Sequence, residues 1–157
     1  MEFLAWLETT AIANFIRTVP WVYPTLESMH YVGLAFLVGG IMLIDLRVLG
    51  LAPSLPLRSM LGLLPWVWTG FIINATTGTL MFIYGATNFG PNHAFMLKMT
   101  LILLAGINAL IFQFASTRSG RDWVTTGDVP LHVKTVATLS FVLWICVVTT
   151  GRWMAYI

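Results

Sequence analysis

Four apolar stretches, each about 20 residues or longer, run through this chain, and each is long enough to cross the hydrocarbon core of a bilayer. They cover residues 23–44, 63–86, 92–115 and 131–157. Inside lipid a backbone polar group finds no water, so only helices and closed barrels span. These runs are continuously apolar and lack the alternation of barrel strands, so helices are predicted. Composition removes the soluble alternatives. Of 157 residues, 58% are hydrophobic and only 9% charged, against roughly 25% charged in an ordinary globular chain. A soluble enzyme and a disordered chain are excluded. So is a nucleic-acid binder, which needs a basic stripe. The expected fold is all-α: a polytopic membrane four-helix bundle forming a single transmembrane domain over residues 1–157. The lone cysteine, Cys146, permits no internal disulfide and no cysteine cage for zinc. No cleavable secretory signal is read at the N-terminus.

Punctuation supports the boundaries. Pro20 and Pro24 open the first span, Pro53 and Pro56 lie in the first connection, and Pro91 suits the first helical position of the third span. The run 117–120 ends that span. Trp21, Trp66, Trp68, Trp123 and Trp153 lie near predicted ends, as interfacial tryptophans do. Residues 1–19 are too short and polar to span. Leu4, Leu7, Ala11 and Phe15 recur there at helical spacing, which predicts an interfacial amphipathic helix on the membrane or across the bundle mouth.

Orientation follows from Lys and Arg. Arg47, Arg58, Arg118, Arg121 and Lys134 flank the 1–2 and 3–4 connections, whereas the other side has Arg17 alone. Both termini and the 87–91 turn are therefore expected outside. The predicted setting is the bacterial inner membrane, multi-pass, with periplasmic termini.

Charges within spans are costly, roughly 2.5–3.5 kcal/mol each, and tend to be functional. Glu27, Lys98 and Arg152 fall toward the outer side, and His30 lies three residues after Glu27 on the same helical face. Lys98 lies at a similar depth to His30, and Asn74, Thr76, Thr77 and Thr79 of the second span supply polar groups in the same half. Four helices are thus expected to converge on one polar pocket. An imidazole among apolar helices is a ready ligand for haem iron or another transition metal. Haem b suits the surroundings, with an apolar slot for its macrocycle and Arg152 and Arg17 for its propionates. His30 is the first candidate metal ligand. His93, in the first turn of the third span, is the second, or a propionate contact. Lys98 is a ligand as a neutral amine, or a propionate contact. Plainer readings stand beside these: His30 hydrogen-bonded to Glu27, Glu27 ion-paired with Arg152, Lys98 snorkelling, and His93 among headgroups. In the same vein, His132 is solvated, Cys146 is core, and Asp45 and Arg47 cap and orient the first span, with a proton-entry role as their alternative.

The run Glu27-Ser28-Met29-His30-Tyr31-Val32-Gly33, Gly39-Gly40, and Ile44 to Gly50 resembles a bacterial family of small four-helix membrane proteins of unknown function. Thr76-Thr77-Gly78, Asn92 with Phe95 and Lys98, and Gly151-Arg152-Trp153 look like further parts of that pattern. That family is distantly similar to the four-helix membrane protoporphyrinogen oxidase and to the copper-resistance membrane proteins. The resemblance to the oxidase implies haem b, with His30 and Lys98 at the matching positions.

The expected function is a haem b-binding, cytochrome-like membrane protein. It would carry electrons between the quinone pool or a periplasmic partner and a redox enzyme. Three alternatives are carried: a membrane porphyrin or quinone oxidoreductase with Lys98 or Glu27 moving protons, a copper-handling protein using His30, His93 and methionines, and a cofactor-free structural subunit. Partners are the lipid bilayer, a redox protein or quinone, and a second copy of the chain in a homo-oligomer.

Overall fold

The computed structural model describes residues 2–118, 122–154 and 156, with side chains for all of these except 115–118 and 122. The Arg118 side chain and Arg121, which carry part of the orientation argument, and the end of the 117–120 turn lie outside the described residues.

Among the described residues the chain is helical throughout, with no strand. Four helices are long and apolar enough to cross a membrane, so this is a multi-pass membrane protein. They are α3 (Val22–Val48), α5 (Leu64–Tyr84), α7 (His93–Arg118) and α9 (Leu131–Trp153). Short helices decorate both ends. At one end lie α1 (Glu2–Glu8), α2 (Ala11–Thr18) and α6 (Ala86–Phe89). At the other lie α4 (Leu57–Leu61) and α8 (Asp122–Thr126).

Local chemistry sets the boundaries. Gly50, at φ +86°, closes α3. Its N–H bonds Arg47 O while Leu51 N–H bonds Leu46 O, the paired bonds of a Schellman stop. Pro56 and Pro130 precede α4 and α9, and Asn92 Oδ1 accepts the Phe95 N–H at 3.1 Å to cap α7.

The N-terminal segment departs from the sequence reading. A single helical face was expected over 1–19, but the helix breaks at Thr9 and Thr10. Their hydroxyls donate to Trp6 O and Leu7 O at 2.7 Å each, and Thr10 Oγ1 then accepts from Ala13 N–H to start α2. The break resets the helical phase. Ala13 and Ile16 are buried instead of Ala11 and Phe15, and Phe15 is 55% exposed. Both short helices pack on the bundle, α1 against α5 and α6, and α2 against α3 and α5.

The spans form two hairpins, α3 with α5 and α7 with α9, joined along α3 and α9. Among the described residues α5 and α7 make no extended contact with each other. The α3–α5 seam depends on bare backbone. A Cβ on Gly70 would lie 2.5 Å from Leu37 N and 2.6 Å from Gly33 O, and one on Gly33 would strike the Asn74 amide.

Two apolar layers fill the bundle. Leu37, Val38, Val67, Ala105, Leu143, Trp144 and Val147 form the middle. Ile44, Val48, Leu57, Trp123, Val133 and Ala137 form the layer under α4 and α8. Trp123 corrects an expectation: it was read as interfacial with the other end tryptophans, yet it is 3% exposed, because α8 folds back over the bundle and buries it. Trp21, Trp66, Trp68 and Trp153 are exposed on the rim.

Candidate functional site

His30 and Lys98 line one cavity of about 560 Å³ at the α1/α2 end of the bundle. That volume is in the range of small-molecule and cofactor sites. All four spans contribute walls. Leu34 and Leu37 come from α3, Phe71, Asn74, Gly78 and Phe82 from α5, Met99 and Ile102 from α7, and Trp144 and Val147 from α9. The lining is mostly apolar and rich in aromatic rings. Phe82 and Phe95 stack across the α5–α7 gap, 5.2 Å between centroids and 9° from parallel, with Phe89 beside them.

The geometry favours one tautomer of His30. Its Nδ1 lies 2.9 Å from Thr77 Oγ1. Thr77 is 2% exposed, and its hydroxyl donates to Ile73 O at 2.7 Å. A hydroxyl has one hydrogen, so Thr77 receives the bond from the imidazole. In the neutral ring Nδ1 therefore carries the proton and Nε2 the lone pair. Nε2 has no hydrogen-bond partner among the described residues. Gly78 leaves room for the ring, since a Cβ there would touch His30 Cε1 at 3.4 Å.

Lys98 reaches the cavity from α7, and α9 lets it pass at Gly151, where a Cβ would sit 3.4 Å from Nζ. Among the described residues its ammonium has neither a hydrogen bond nor an ion pair. Asn74 donates from Nδ2 to Gly70 O at 3.0 Å, while its Oδ1 is buried without a partner. A basic imidazole nitrogen, a lysine amine and an orphaned carbonyl thus line one largely apolar cavity.

Other candidates lie elsewhere. His93 is exposed in the first turn of α7 and does not line the cavity. Glu27 is half-buried beside Tyr31, whose hydroxyl donates to it at 3.5 Å, and it pairs with neither His30 nor Arg152. Arg152 is exposed, bonds the Tyr156 hydroxyl at 2.9 Å and lies over that ring. Arg17 lies over the Tyr84 ring. Thr79 joins the cavity wall, while Thr76 is exposed away from it. Among the described residues no three of His, Cys, Asp and Glu gather as a metal-ion site. A porphyrin iron needs no such group, because the macrocycle's nitrogens hold it.

Sequence reasoning missed the aromatic wall and the room that Gly151 makes for Lys98. The one visible signal was Trp144, a tryptophan in mid-span where interfacial anchoring gives it no role.

The cavity is reached from the side as well as from its mouth. Phe71 and Met99 line it and are also 40% and 48% exposed, on either side of the α5–α7 gap. Over the mouth, the Glu8 carboxylate clasps α6, accepting from Thr87 N–H at 2.8 Å and from Thr87 Oγ1 at 2.7 Å. The Thr87 hydroxyl, then its backbone N–H, hold the Glu8 carboxyl below its usual range, with a smaller pull from Arg17.

Residues 3–157 match a family described as Family of unknown function (DUF6644), and the chain belongs to it. No curated protein and no solved structure matches the chain.

Proposed function

We propose that this member of the DUF6644 family is a haem b-binding, cytochrome-like membrane protein. It carries electrons between a quinone pool or an extramembrane partner and a redox enzyme. The observation behind this reading is His30, whose Nδ1–H is committed to Thr77 and whose Nε2 is left basic on the wall of an apolar cavity. Metal-ligating histidines have this arrangement, with the second ring nitrogen tied to a partner that sets tautomer and orientation. The rest of the lining fits the group. Phe71, Phe82, Phe95 and Trp144 offer apolar surface to a macrocycle, and Lys98 offers an uncompensated positive charge to a propionate.

His30 would hold the iron, and Lys98 would hold the anionic edge or bind the iron as a neutral amine. Asn74 Oδ1 would accept from a polar group of the ligand. Bound haem b supplies one-electron chemistry. The chain binds it, orients it and keeps water away. The distribution of Lys and Arg supports a location of the cavity in the outer half of a bacterial inner membrane, with Arg47, Arg58 and Lys134 toward the cytoplasmic end.

The α5–α7 gap favours a second reading, a porphyrin or quinone oxidoreductase whose membrane-dissolved substrate enters the same cavity from the bilayer. One purification separates the two. A cytochrome is expected to come out coloured, with a Soret band that shifts on dithionite and disappears in His30→Ala. A colourless protein from haem-replete cells, free of iron by elemental analysis, would overturn the haem reading. An extractable quinone in that preparation would favour the second.

A further inference from the structure

Asp45, in the last turn of α3, is 4% exposed and is the only charged side chain in the buried set among the described residues. Its α3 neighbours Ile44 and Val48 belong to the apolar layer that also holds Val133 and Ala137 of α9, Leu57 of α4 and Trp123 of α8. Among the described residues Asp45 Oδ2 has no hydrogen-bond partner. Ser140 of α9 is the polar side chain that neighbours the carboxyl. One turn earlier on α9, Val136 O accepts from Asn108 Nδ2 of α7 at 3.1 Å. Asn108 is 3% exposed, and its Oδ1 is also without a partner. Two orphaned acceptors therefore border adjacent turns of one helix.

Neighbouring charges do not resolve this. Arg47, on α3 itself, donates its Nε to Leu55 O. Arg58 of α4 and Asp128 before α9 are exposed, and α5 has no ionisable residue but Tyr84 at the far end. On α9, His132 is exposed and Lys134 is half-buried, more than a turn before Ser140. The Arg118 side chain lies outside the described residues. Among those described, no charged group acts on the carboxyl.

An ionised carboxylate packed among apolar side chains without a counter-charge is far too costly to persist. A metal cation demands about six or more oxygen ligands. The oxygens on hand, from Asp45, Asn108 and Ser140, are fewer, and the helix carbonyls around them are committed to the helix. A single proton meets the need, because it removes the charge and turns an orphaned acceptor into a donor facing other acceptors. We propose that Asp45 is a proton-binding site, holding a carboxylic acid proton beneath the plug made by α4 and α8. The apolar layer of Leu37, Val38, Val67, Leu143 and Trp144 separates it from the His30 cavity. The proton is therefore exchanged at the α4/α8 face, and the inference stands independently of haem.

Infrared difference spectroscopy on the full-length protein in lipid nanodiscs at neutral pH tests it, comparing wild type with Asp45→Asn. The expected result is a protonated-carboxyl C=O band that shifts down in D2O and is missing from the variant. Ser140→Ala, which keeps the acid but removes its polar neighbour, should shift that band. A difference spectrum with carboxylate bands alone would overturn the proposal. So would a band abolished by added Na+, which would mean a metal-cation site. If Asp45→Asn does not fold, a Ser140→Ala spectrum identical to wild type would overturn it equally.

Discussion

The two ends of α3 treat an ionisable side chain in opposite ways. At the α1/α2 end, His30 has a fixed partner in Thr77 and open space beside it. Asn74 Oδ1 is unpartnered there, but Asn74 borders a cavity that a ligand can fill. At the α4/α8 end, Asp45, Asn108 and Trp123 are buried and each leaves a polar atom without a partner among the described residues. An unmet polar group beside a cavity is an offer to a ligand. The same group in a closed layer has to be met by a proton or by its neighbours. One helix thus separates a site built to receive a molecule from a site built to hide a charge.

The largest effect is expected from breaking the frame of the first site alone. Gly70→Val puts a side chain against backbone atoms of Gly33 and Leu37, which no rotamer change relieves. Overpacking of this kind costs about 3 kcal/mol. We expect loss of the Soret band and a lower thermal midpoint in detergent, while the Asp45 carboxyl band persists. Simultaneous loss of both signals in a protein that is still helical would show that the two ends are not separate. Thr77→Val is milder. It preserves volume and removes the acceptor that fixes the His30 ring, and second-shell losses of this type cost about 10–100-fold in affinity. Haem titration of the apoprotein should show that weakening, whereas unchanged affinity would mean that His30 needs no tautomer control.

The sequence was a good guide wherever one helix's own pattern sufficed. Four apolar runs name the spans, and depth counting along two of them places His30 and Lys98 at one level, where they line one cavity. Partner choice was not legible. Glu27 is close to His30 in sequence and on its helical face, yet the partner is Thr77 on another helix, a choice made by the α3–α5 crossing. The gap between α5 and α7 was equally hidden, because apolar residues facing lipid and apolar residues facing a neighbour look alike. Trp123 and the N-terminal phase break share another cause. In both a short helix packs back on the end of the bundle, and the sum of hydrophobicities along the chain does not register it.

The smallest effect is expected at the mouth, where the comparison turns on a charge in solvent's reach. Glu8 is the counterpart of Asp45: a carboxylate with two donors from Thr87, against one with an oxygen left bare. Its folded-state pKa lies below the usual range. The clasp therefore stabilises the fold above the unfolded value, near about 4.3, and its contribution is lost as pH falls through the folded value. At neutral pH it should be fully present, and Glu8→Gln should weaken it without acid. Hydrogen exchange read by mass spectrometry should then show faster exchange in peptides covering α1 and Thr87, with α9 unchanged. Protection that stays at the wild-type level in α1 would mean that Leu4 against Gly90 and the buried Ala13 and Ile16 hold the N-terminal helices without the charge. The cavity mouth would then be closed by packing alone, as the Asp45 end is.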